Sequence, residues 1–179
     1  MTRFFNRFRQ NTEGAALFEL TLVIPLILSI GMGTIEFGNL LQKRQLIISG
    51  LRDAARYVAR LPYDPANAAA TNANILAGQY IAARNVTSGG TNRISWWAPG
   101  NVTIAYSAVG NTGGTNCGTG ATDFCLRGGN SIYVVTASTS IAYDDLGALS
   151  FLYNTGAIPS ATITLNATHQ ERVLVDGSF

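Results

Sequence analysis

The apolar positions fall into three regimes along the chain. From Ala15 to Leu41 nearly every residue is apolar or small, and the departures are Glu19, Pro25 and Glu36. Leu20 to Ile35 runs without a charge; adding Ala15 to Phe18 supplies the roughly 20 residues that a membrane-spanning helix needs. At about 1.5 Å rise per residue, Glu19 and Glu36 lie about 26 Å apart. The hydrocarbon layer is about 30 Å thick, so each carboxylate falls near one interface. A buried core helix is rarely apolar on every side over such a length. A cleaved secretory signal has a shorter apolar region and a small-x-small site after it, which Glu36-Phe37-Gly38-Asn39 does not offer.

Beyond Glu36 the pattern becomes amphipathic. Phe37, Leu40, Leu41, Ile47, Ile48, Leu51, Ala54, Ala55 and Val58 keep helical spacing, with Arg52, Arg56 and Arg60 on another face. That arginine row reads as a solvated face near Asp53, ahead of a surface for anionic headgroups or a partner subunit. Leu61-Pro62 closes the helix, because proline disfavours helix for its predecessor. The predicted helix, residues 15–61, spans the membrane over about 15–38 and packs against a head with its second half.

The third regime, residues 62–179, mixes one short helix with alternating strands. Asp64-Pro65 reads as an N-cap and first-turn proline for a helix over Ala66 to Arg84. Candidate strands are Arg93 to Ala98, Asn101 to Val109, Ser131 to Tyr143 and Ser160 to His169. Alternation such as Val102, Ile104, Tyr106 against Thr103, Ala105, Ser107 marks half-buried antiparallel strands. Trp96 and Trp97 would then point to opposite faces, with one of them in the core. The architecture is α+β: a long N-terminal helix packed on a small antiparallel β-sheet head.

Composition narrows the function. Of 179 residues, 47% are hydrophobic and 12% charged, against roughly 25% charged in soluble globular proteins. Intrinsic disorder is excluded. Arg3, Arg7, Arg9 and Glu13 hold the whole net charge of +2, so the rest of the chain is neutral. The basic excess is a tail and not a nucleic-acid surface. By the positive-inside rule it places the N-terminus in the cytoplasm and the head outside.

Glu13-Gly14-Ala15-Ala16-Leu17-Phe18-Glu19-Leu20 resembles the processing site of type IV pilins and pseudopilins. Glu19, the apolar run with Pro25, Ile35-Glu36-Phe37-Gly38 and Ala54-Ala55-Arg56-Tyr57 are similar to the TadE-like minor pilins of tight-adherence pili. The resemblance is good over about residues 8–60, and a β-rich, Thr-rich tail is typical of that family. It implies a leader over residues 1–14, cut by a membrane prepilin peptidase between Gly14 and Ala15. It also implies a subunit that joins other pilin and minor pilin subunits on an inner-membrane assembly platform, in pilus priming, biogenesis or adhesion.

The residue chemistry agrees with that implication. Glycine lets the backbone approach a peptidase closely. Cleavage would create a mostly charged α-amino group on Ala15, a cationic partner for Glu19, which otherwise stands as a costly acid within a span. Ser29-x3-Gly33 and Thr34-x3-Gly38 are small-x3-small pairs of the kind that lets helices approach in lipid, and Pro25 removes one helix hydrogen bond. Pro25, Ser29, Gly33, Thr34, Glu36, Phe37 and Gly38 are thus the expected packing residues. In an oxidising periplasm, Cys117 and Cys125 would pair as a disulfide closing a short loop. Their spacing without nearby histidine makes a poor metal site. The Gly-rich loop lacks a Gly-Lys-Ser/Thr ending, Asp144-Asp145 reads as a turn, and no nucleophile stands in a recognisable motif. Neither enzyme activity nor a cofactor is expected. The competing reading is a permanently anchored periplasmic binding or adhesion module with a β-rich head.

Overall fold

A computed structural model describes residues 12–63, 67–110, 131–143 and 163–174 of the chain. Helix α1 spans Thr12–Ala59, and Pro25 lies inside it without ending it. Helix α2 spans Ala68–Arg84. A 3-10 turn at Pro99–Asn101 leads into β1, Val102–Gly110, followed by β2, Ser131–Ala142, and β3, Thr164–Arg172. The three strands form one antiparallel sheet in the order β1-β2-β3. The predicted α+β arrangement of a long helix and a small antiparallel sheet is therefore present. By internal contacts the described residues divide into α1 up to Leu41 and a second unit from Gln42 onward.

The second unit holds a packed core. Helix α1 contributes Ile47, Leu51, Ala54, Ala55 and Val58, a helical stripe at spacings of three and four. Facing it are Ile81, Ala82 and Ala83 of α2, with Ile94 and Trp97. The sheet adds Val102, Ile104, Val135, Ala137 and Leu165. The register explains the sidedness: Ile104 pairs with Ala137, and Ala137 with His169, so one pleat face turns inward. Thr103, Ala105, Ser140, Asn166 and Thr168 of the opposite face are exposed.

Two glycines set how closely these layers approach. A Cβ on Gly50 would stand 2.5 Å from the Ala82 carbonyl oxygen and 2.8 Å from the Trp97 ring. On Gly78 it would stand 2.5 Å from Val58 and 2.6 Å from Ile104. Thus α2 is wedged against both α1 and β1 through positions that admit no side chain. The Gln79 amide fixes the same contact by donating to the Val102 carbonyl at 2.8 Å.

The segment Arg93 to Ala98 is not the predicted strand. The Trp97 N–H donates to the Ile94 carbonyl at 3.0 Å, which folds the segment into a turn. Hydrophobic content without a neighbouring strand to pair with does not make a strand, and here Arg93 binds elsewhere. Its backbone N–H donates to the Ala83 carbonyl at 2.7 Å, and its guanidinium to Asn85 at 2.7 Å and Asp53 at 3.2 Å. Asn85 can receive it because it caps α2 in the left-handed conformation, φ 61°. One tryptophan is in the core, as expected, although through a turn: Trp97 is fully buried. Its indole N–H donates to the Thr139 hydroxyl at 3.3 Å, which itself donates to the Asn101 carbonyl at 2.7 Å.

Helix α2 begins at Ala68, capped by Asn67, whose side chain accepts from the Ala70 N–H at 3.1 Å. The N-cap is thus Asn67 where the sequence pattern favours Asp64; Asp64 and Pro65 lie outside the described residues. The leader up to residue 11, Cys117, Cys125 and Asp144-Asp145 also lie outside them.

Gly50→Ala is expected to lower stability by about 1–3 kcal/mol, the usual cost of forcing a methyl into a packed core. Gly33→Ala, in open space, should leave the isolated subunit unchanged or gain up to about 1 kcal/mol of helix propensity. Urea unfolding in detergent, followed by tryptophan fluorescence, separates the two. Equal midpoints for both variants would refute the tight α1–α2 approach.

Candidate assembly helix

Residues 17–35 of α1 form a helical surface that nothing in the described chain covers. Leu17, Phe18, Leu22, Leu26, Ile27, Ile30 and Ile35 are each more than 60% exposed. Leu17–Ala59 is long and apolar enough to cross a membrane, and none of its most apolar window is buried. A soluble core helix with such a sequence would hide these side chains. Their exposure fits a helix whose solvent is lipid.

The polar groups within the span are handled locally. Thr21 donates to the Leu17 carbonyl at 2.7 Å, Ser29 to the Pro25 carbonyl at 2.7 Å, and Thr34 to the Ile30 carbonyl at 2.8 Å. Each hydroxyl reaches back one turn, so no proton of these groups faces hydrocarbon unsatisfied. Glu19 lies on the exposed part of the helix, whereas Glu36 is buried although Ile35 and Phe37 on either side of it are exposed. The two acids therefore occupy different surroundings.

The small residues also divide into two kinds. A Cβ added to Gly14, Gly33 or Gly38 would meet nothing within 4 Å. Gly50 and Gly78 are filled by neighbours, as described above. Glycine in a helix interior costs about 1 kcal/mol relative to alanine. At Gly33 and Gly38 no contact within the described chain compensates that cost.

The TadE-like protein family matches the chain over residues 14–56. This stretch is similar to TadE-like proteins. It opens at Gly14 and contains Glu19, Pro25, Ser29, Gly33, Thr34, Glu36, Phe37 and Gly38. A comparison with curated proteins finds no match, and a comparison with solved structures finds none either. The similarity covers 43 of the 179 residues, and the same helix is long and apolar enough to cross a membrane.

The TadE-like segment ends on a contact that sequence reasoning does not reveal. The Arg56 guanidinium donates to the Glu171 carboxylate at 3.2 Å, and the His169 ring shares the same oxygen at 3.0 Å. Two C-terminal backbone bonds lie beside it: Val173 N–H to the Tyr133 carbonyl at 2.9 Å and Leu174 N–H to the Ala59 carbonyl at 2.8 Å. Period-two spacing places His169 and Glu171 on one strand face. No local pattern indicates that Arg56, 115 positions away, meets them.

Hydrogen bonding from His169, then from Arg56, holds the Glu171 carboxyl below its ordinary value of 4.5. A carboxylate whose pKa is depressed on folding contributes stability that is complete above the unfolded value and lost as pH falls through the folded one. Because Glu171 is about one-third exposed, solvent screening keeps the contribution small. Glu171→Gln should therefore lower the urea midpoint at neutral pH, and the gap to the native chain should close in acid. A gap that persists once the carboxyl is protonated would show that the contact is not ionic.

Proposed function

We infer that this chain is a minor pilin or pseudopilin of a tight-adherence pilus. A prepilin peptidase cuts it between Gly14 and Ala15, and it assembles through its N-terminal helix. The observation that carries the reading is the TadE-like segment coinciding with an uncovered apolar helix that bears Gly14 and Glu19 on its first turns. Removal of the leader takes away Arg3, Arg7 and Arg9 and leaves a cationic amine on Ala15. Glu19 then pairs with that amine, in its own chain or in the subunit beside it.

The pairing is strongest where water is excluded. A carboxylate and an ammonium group in low dielectric attract strongly, and removing one partner of a buried pair costs about 3–5 kcal/mol. That is enough to select one axial register between neighbouring helices. Gly33 and Gly38, with Ser29 and Thr34 one turn before each, then let the neighbour's backbone come close. The span sits in the inner membrane with the N-terminus in the cytoplasm and the head in the periplasm, where Cys117 and Cys125 pair. The subunit acts by assembly and not by catalysis. Its partners are the peptidase, other pilin and minor pilin subunits, the assembly platform and membrane lipid.

Intact mass of the chain purified from cells with an active prepilin peptidase tests the first step, with loss of residues 1–14 as the expected result. A chain retaining its initiator methionine refutes processing and leaves a permanently anchored module. Glu19→Ala should be processed normally yet fail to enter pili, read as its disappearance from the sheared fibre fraction. Undiminished incorporation of that variant would refute the pairing.

A further inference from the structure

Two outer edges bound the sheet, and the ladder shows which backbone groups face them. At one end of the β2–β3 pair the Tyr143 N–H donates to the Ile163 carbonyl at 2.7 Å. At the other end the Val173 N–H donates to the Tyr133 carbonyl at 2.9 Å. Bonded pairs alternate along an antiparallel ladder. The odd-numbered residues of β3 therefore bond to β2, and the even-numbered ones turn their N–H and C=O groups outward. Leu174, next in the even series, agrees: its N–H leaves the sheet for the Ala59 carbonyl at 2.8 Å. By the same alternation Val102 faces outward on β1, where its carbonyl accepts from Gln79 of α2 at 2.8 Å. Helix α2 thus covers the start of the β1 edge. Among the described residues, no backbone bond reaches the outer groups of Thr164, Asn166, Thr168 and Gln170.

Natural edge strands carry lysine, proline or a bulge, which deter pairing with another chain. Thr164 to Gln170 holds no proline, lysine, arginine or carboxylate, and its register with β2 runs one to one without a bulge. Thr164, Asn166, Thr168 and Gln170 are exposed. Their outward groups recur at two-residue steps of about 7 Å, the step at which another extended backbone presents its own donors and acceptors.

We propose that β3 pairs antiparallel with β3 of a second copy of this chain, across a two-fold axis at Thr168, so that two three-stranded sheets become one. The pairing goes beyond the assembly reading above and does not depend on it. Self-pairing is what the order of side chains along the strand favours. On the outer face Thr168 meets the partner's Thr168, Asn166 the partner's Gln170, and Thr164 the partner's Arg172. On the inner face Ala167 lies beside the partner's His169, and Leu165 beside the partner's Glu171. Hydroxyl meets hydroxyl, amide meets amide, and no two charges of one sign are opposed. A shift of the pairing by one residue would set outward groups opposite groups already bonded to β2. The Leu174–Ala59 bond closes the ladder just beyond Arg172, so this axis engages every even position from Thr164 to Arg172.

The test uses the full chain in liposomes, as a mixture of isotopically labelled and unlabelled molecules, with a photo-crosslinking amino acid in place of Gln170. Mass spectrometry of the adducts should show position 170 of one copy joined to the stretch around Asn166 of the other. Thr168→Lys should lower that yield about fivefold or more, because like charges then meet at the axis. Thr103→Lys should leave it unchanged, since Thr103 lies on the same sheet face two strands away. Tryptophan fluorescence confirms that both variants keep the Trp97 core. Adducts confined to one molecule, adducts between copies at other segments, an absence of adducts, or an undiminished yield with Thr168→Lys overturns the proposal. The same photo-crosslinking chain, irradiated in its native membranes, reports the other occupant: an adduct there solely with a different polypeptide also overturns pairing between copies.

Discussion

One continuous helix has to satisfy two solvents, and the rest of the structure follows from that constraint. From Leu17 to Ile35 its side chains are largely exposed and almost entirely apolar; from Ile47 to Val58 the main apolar stripe is buried. Lipid accepts an apolar surface on every side of a helix, whereas a head accepts it on one. The change of pattern near Gln42 coincides with the boundary between the two units. Charge returns at the same place, with Lys43 and Arg44 the first basic residues after the span.

The glycines make the same division from another direction. Gly50 and Gly78 are explained within the chain, since a methyl at either would collide with backbone or core side chains. Gly33 and Gly38 have open space around them, so their cost in helix propensity is met by nothing in the described fold. Under the assembly reading proposed above, that open space is where a neighbouring helix would lie.

Much of the fold was legible because it rests on periodicity. The stripe Ile47, Leu51, Ala54, Ala55, Val58 and the alternation Val102, Ile104, Tyr106 both report one-sided burial, and the structure places the first in the core and the second on the inner sheet face. The segment Arg93 to Ala98 was misread because its apolar residues, Ile94 and Trp97, are three apart within a turn. Their burial comes from packing under α1 and α2 and not from a ladder. The N-cap was placed three residues early for a related reason. Asp64-Pro65 is the stronger local signal, yet Asn67 is the residue whose side chain caps the helix. Within the candidate site, Gly14, Glu19 and the small-residue pairs were visible as deviations from an apolar background. The Arg56–Glu171–His169 contact was not, because it joins positions that only the sheet register brings together.

That contact belongs to how the head holds α1. Glu171 pairs with Arg56 and Asp53 with Arg93. Both pairs tie α1 to other parts of the head, one to β3 and one to the turn after α2, and each joins positions far apart in the sequence. Both are partly exposed to solvent, so screening keeps their contribution small. The buried stripe from Ile47 to Val58, and the close approach that Gly50 and Gly78 permit, carry most of the attachment.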